Sequence, residues 1–192
     1  MMKVAGRIGA AAVLAVLCVS LSHAAPNAST EKEAALCARV ISSGAAEIVK
    51  GALRLKARLP TVREADARRF ASYAPGGVSP PLPVASRPQY YVWLIRHQLE
   101  TVAGRIGRVP AQSNPADRAL RVIDNANGAQ GYIALAMKAL AYASTFRGHE
   151  RDSGADALAV LTEDQVRIYA SDLEALSVAL SLLISCHLRR PQ

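Results

Sequence analysis

Apolar and small residues recur at every third or fourth position in three stretches of the chain, the spacing that lines them along one face of an α-helix. The first stretch is Cys37, Ile41, Ala45, Ile48, Ala52, Leu55 and Leu59, and it stops at Pro60. Just before it, Thr30-Glu31-Lys32-Glu33 has the form of a capping box, in which a hydroxyl and a carboxylate satisfy backbone N–H groups at a helix start. A long helix over residues 30–59 is therefore predicted, with Cys37 on its inner face. A second box, Thr61-Val62-Arg63-Glu64, predicts a short helix to about residue 73, and the Pro- and Gly-rich run 74–83 predicts a loop.

The next stripe is Val92, Ile95, Leu99, Val102, Ile106 and Val109, opened near Pro88 and stopped by Pro110. Asn114-Pro115 reads as a cap and first helical residue, starting a helix to about residue 147, with Gly148 behind it and Gly128 and Gly131 as candidate bends. Its half from 129 to 146 is apolar on nearly every side, which predicts a central helix surrounded by others. A third box, Thr162-Glu163-Asp164-Gln165, precedes Val166, Tyr169, Leu173, Leu176, Leu180, Leu183 and His187, with Cys186 beside the stripe. No alternating strand pattern competes. The expected fold is all-α: an antiparallel bundle of four long helices plus two short ones, first and last helices adjacent.

The amino terminus changes where this fold is placed. Lys3 and Arg7 give a short positive start, residues 10–21 an apolar run, and Ser22-His23-Ala24 small residues where a signal peptidase cuts. The apolar run is too short for a membrane span. Residues 1–24 are therefore expected to be a cleaved signal peptide, and residues 25–192 a single domain in the periplasm or outside the cell, with no stable membrane span. Two of the three cysteines, Cys37 and Cys186, survive cleavage, and in an oxidising compartment they are expected to pair with each other. Neither sits in a CxxC pair or beside histidines at ligand spacing, so no metal or cofactor is expected.

The net charge of +8 falls to +6 once Lys3 and Arg7 leave with the leader. Most of that excess lies between residues 50 and 69, where Lys50, Arg54, Lys56, Arg58, Arg63, Arg68 and Arg69 face only Glu64 and Asp66. Lys50, Arg54 and Arg58 are four apart and share a helix face, with Arg63 just past the Pro60 corner. Such a row can hold an anionic partner, and it can equally be a solvated helix face. Nucleic acid is disfavoured, because no RNA- or DNA-binding pattern accompanies the charge.

A second candidate is Trp93, Arg96, His97 and Glu100, in which Trp93 and His97 are one helical turn apart and can form a small aromatic and basic pocket. The same residues can be the edge of a buried stripe, with Arg96 and Glu100 paired in water. His149-Glu150-Arg151-Asp152 lacks the HExxH spacing that puts two ligands on one helix face. His187 continues an apolar stripe near a helix end, where an imidazole is usually packed. No nucleophile elbow, phosphate loop or haem-attachment motif is present.

The order of a long basic helix, Leu59-Pro60, a short helix and another long helix resembles, over residues 36–106, the layout of secreted helical chorismate mutases. That resemblance implies a pocket for a doubly anionic substrate. The sequence has Arg54 where the family's pattern has Lys, Arg63 where it has a carboxylate and Asp66 where it has Arg. The substrate pocket therefore does not carry over residue by residue.

Two functions of different class follow. The first is a non-catalytic exported binding protein, an inhibitor, immunity-type or adaptor protein, that holds an acidic protein or other anionic partner with Lys50, Arg54, Arg58 and Arg63. The second is a small helical enzyme whose inward-facing cations hold an anionic metabolite. Cations converging on a cavity favour the enzyme, and cations pointing outward favour the binder. The leader makes its own prediction: amino-terminal sequencing of the native protein should begin at Ala25, and a chain that retains residues 1–24 would contradict it.

Overall fold

The computed structural model describes residues 28–72, 87–108, 114–145 and 161–189. The leader 1–24, the loop over 74–83, Val109, Pro110 and the His149 quartet fall outside the described residues. All regular structure among the described residues is helical.

α1 (Ala28–Arg39) passes through a π-helical turn (Val40–Gly44) into α2 (Ala45–Arg58), and backbone angles at both joints stay in the right-handed helical region, so the predicted helix over 30–59 is one rod. Ser42 and Ser43 both donate their hydroxyls to the Arg39 carbonyl, at 2.9 and 3.0 Å. They supply donors to that carbonyl where the extra residue of the π turn shifts the backbone ladder. Thr30 lies inside the first turn of α1, so the Thr30–Glu33 box does not mark the helix end.

α3 (Glu64–Ala71) begins two residues later than the second box predicts, with Arg63 at its cap and no side-chain cap bond. The cause is the corner. Leu59 is extended ahead of Pro60, whose ring disfavours helix in the residue before it, and residues 59–63 are used in turning.

α4 (Arg87–Gly107) buries Val92, Ile95, Leu99, Val102 and Ile106 as its spacing predicts. α5 (Pro115–Ser144) is capped by Asn114, whose side chain accepts the Ala116 N–H at 3.1 Å. It runs unbroken through Gly128, where a side chain would collide with the Arg105 guanidinium that lies 5.5 Å over the Tyr132 ring. The expectation of a helix covered on all sides is corrected. Ala129, Ile133, Ala136, Leu140 and Ala143 are buried, but Leu135 and Tyr142 are 41% and 46% exposed. An alanine-rich stretch is apolar in every direction whether or not neighbours cover it, and α5 packs on α4 and α6 along one side only.

α6 (Glu163–Leu188) starts with the predicted capping box fully formed: the Thr162 hydroxyl accepts the Gln165 N–H, and the Gln165 side chain accepts the Thr162 N–H. Tyr169, Leu173, Leu176, Leu180, Leu183 and His187 are buried and Val166 is half-buried. Among the described residues, α6 is the one helix long and apolar enough to cross a membrane by length and composition. Here its leucine stripe packs into a shared core with α2, α4 and α5.

Counting α1 and α2 as one rod, the described residues hold five helices, and a second short helix is not among them. Residue pairings give directions. Cys37 with Cys186 and Arg58 with Asp172 make the first rod and α6 antiparallel. Tyr91 with Tyr142 and Arg105 with Tyr132 do the same for α4 and α5. Phe70 of α3 joins Tyr90 in a small separate cluster, edge to face at 5.5 Å.

The Cys37–Cys186 disulfide is present, with Cα atoms 5.1 Å apart and 149 positions between them in sequence. It ties the first rod to the last and is consistent with an oxidising compartment. Loop-closure entropy gives such a bridge up to about 5 kcal/mol. Cys37→Ser, Cys186→Ser should therefore lower the melting temperature while keeping the helical circular dichroism, because the leucine core does not depend on sulfur. Loss of the helical signal at 25 °C, or an unchanged Tm, would contradict this.

Candidate functional site

The end of α2 decides where the basic residues point. The last carbonyls of a helix have no partners within it, and here two other helices supply them. The Arg96 guanidinium of α4 donates to the carbonyls of Lys56 and Leu59 at 2.9 Å and of Pro60 at 3.3 Å. The Tyr169 hydroxyl of α6 donates to the Arg58 carbonyl at 2.8 Å. Burial raises the pKa of that hydroxyl; the Arg58 cation works against the shift and Asp172 adds to it. A cation at a helix C-terminus also complements the helix dipole. With Ile48, Ala52 and Leu55 buried, the opposite stripe of α2, carrying Lys50, Leu53, Arg54 and Arg58, faces solvent.

The four predicted cations do not behave as one row. Lys50 and Arg54 are exposed and have no ion-pair partner among the described residues. Arg58 is bound to Asp172 of α6 at 2.7 Å, and Arg63 to Asp66 at 3.0 Å on the α3 corner. Lys56 pairs with Glu100 at 2.9 Å. The sequence reading missed Asp172 and Glu100 as neutralising partners. Nothing in local spacing relates Arg58 to a residue 114 positions away.

Between α2 and α6 lies an open groove of about 330 Å³. Its floor is apolar, built from Ile48, Gly51, Leu55, Leu176 and Ala179, and Arg54, Arg58, Glu47 and Asp172 line its edges. Lys50 lies outside the lining. The α6 half of this groove was not legible as a site, because Ala175 and Ala179 carry no polar signal.

The second candidate cluster is real as a cluster. Trp93 and His97 stack at 5.2 Å with ring planes 7° apart, and Trp93 packs against Phe70 and Tyr90. A second groove of about 300 Å³ lies there, lined among others by Lys56, Glu64, Trp93, His97 and Glu100. Arg96 is engaged with the end of α2, and Glu100 pairs with Lys56 rather than with Arg96. Among the described residues, no group of three or more His, Cys, Asp or Glu is placed to hold a metal.

No family model, curated protein or solved structure matches the chain. The geometry alone carries the functional reading.

Arg96 makes a test of this assignment. Replacing it with Met keeps the stem and strips the donors from three carbonyls, which should cost about 2–3 kcal/mol in urea unfolding. Arg96→Lys should recover only part of this, since an ammonium lacks the planar fork. His97→Ala should cost less than either. A neutral Arg96→Met would contradict the clamp.

Proposed function

We propose that the protein is an exported, non-catalytic binding protein of the periplasm or exterior, an inhibitor, immunity-type or adaptor protein, that engages an acidic partner through the outer face of α2. In this reading residues 25–192 form one domain, an antiparallel helical bundle without a stable membrane span, and residues 1–24 direct export. The observation that carries it is the pair Lys50 and Arg54, exposed and without counter-charges among the described residues, on a helix whose end is clamped from both sides. Exposed Leu53 lies one turn from Lys50 on the same helix and adds apolar surface beside the cations, as protein interfaces do. The alternative enzyme needs Lys50, Arg54 and Arg58 to converge on a cavity. Lys50 lies outside the groove lining and Arg58 is already neutralised by Asp172, which supports the binder.

The test is charge reversal at these two cations of α2. Lys50→Glu, Arg54→Glu should weaken capture of the native partner from its own compartment at least about tenfold, and rising salt should weaken wild-type capture as exposed charges are screened. Stability should stay within about 0.5 kcal/mol of wild type. Capture unchanged by both reversal and salt would leave α2 as a solvated face and overturn the proposal.

A further inference from the structure

The groove between α2 and α6 has a chemical polarity that the basic face alone does not have. Along the first rod it runs from Val40 in the π turn to Arg58 at the end of α2, and the part between Gly44 and Arg54 spans about 15 Å at helical rise. Its floor is kept low by small residues: a Cβ on Gly51 would stand 3.1 Å from the Leu176 side chain, so α2 approaches α6 closely there. Ala175 and Ala179 leave the α6 wall short. At about 330 Å³ the space sits at the lower end of the roughly 300–1,000 Å³ range of small-ligand sites.

Charge at the edges is uneven. Arg58 is neutralised by Asp172, so Arg54 is the lining cation without a counter-ion among the described residues, and Lys50 lies one turn away on the same helix. Glu47, two turns before Arg54, repels an anion from the other end. An anionic head is therefore favoured near Arg54 and an uncharged chain along the floor.

We propose that this groove binds a free single-chain aliphatic carboxylate, with its carboxylate on Arg54 and its alkyl chain over Ile48, Gly51, Leu176 and Ala179. The proposal rests on the reading of Lys50 and Arg54 as an anion-binding face and names the ligand class of that face. A plain basic surface holds acetate and decanoate alike. A groove gains about 0.8 kcal/mol, or about fourfold in affinity, for each methylene that it buries.

The experiment is calorimetric titration of the mature protein with acetate, octanoate, decanoate and decanol, the two longer carboxylates below their micellar concentrations and decanol below its solubility limit. Decanoate should bind, about fifteen-fold tighter than octanoate if both added methylenes are buried, and acetate should not bind detectably. Arg54→Gln should abolish the preference for decanoate over decanol. Ala175 is exposed, so Ala175→Phe should fill the groove without disturbing the fold, and it should block decanoate while circular dichroism stays unchanged. Absence of decanoate binding, equal binding of octanoate and decanoate, or binding indifferent to Ala175→Phe would each overturn the proposal. If Lys50→Glu, Arg54→Glu abolishes partner capture while decanoate does not bind, this inference falls and the acidic-partner reading stands. If Ala175→Phe blocks partner capture and decanoate does not bind, the groove takes a protein segment, which also overturns it.

Discussion

Three helices meet at the carbonyl end of α2, and the hydrogen bonds there organise much of the rest. A helix that stops at Pro60 leaves carbonyls facing inward, where unsatisfied acceptors are costly. Arg96 from α4 and Tyr169 from α6 take up that need together. They come from helices on two sides of α2, so they hold its rotation as well as its end. With the rotation held, Ile48, Ala52 and Leu55 face the core and Lys50 and Arg54 face water.

The disulfide and the Arg189–Glu33 ion pair hold the far end of the same rod against the end of α6. Between these two anchor points Gly44, Gly51, Ala175 and Ala179 keep the walls short among larger apolar residues, and the groove opens there. Cross-helix ion pairs then sort the cations. Arg58 and Lys56 are turned to structural work by Asp172 and Glu100, and exposed pairs of this kind add little stability. On α2 this leaves Lys50 and Arg54 without ion pairs among the described residues.

Much of the fold was legible in the sequence. The α4 and α6 stripes, the Thr162 box and the Asn114 cap are local patterns whose physics is complete within a few residues, and each is realised. The Cys37–Cys186 pairing follows from the count of cysteines and the oxidising compartment that the leader leads one to expect. Local pattern failed where a neighbour decided the outcome. The Thr61 box gave way to the turn at Pro60, and the alanine-rich half of α5 looked buried on all sides because alanine does not register which side is covered. The candidate site divides in the same way. The cations of α2 could be read from spacing, but their partners Asp172 and Glu100 and the α6 wall of the groove arise from packing between distant segments. The role of Arg96 is hidden from local pattern for that reason: its three acceptors lie about forty positions upstream, around a corner.

Native-state hydrogen exchange on Arg96→Met compared with wild type tests the clamp most directly. The account expects protection to fall selectively in the last turn of α2, at the amides of residues 55–59, while α5 and the leucine stripe of α6 keep theirs. Unchanged protection in that turn, or a uniform loss across all helices, would contradict the claim that Arg96 holds the end of α2 and with it the direction of the basic face.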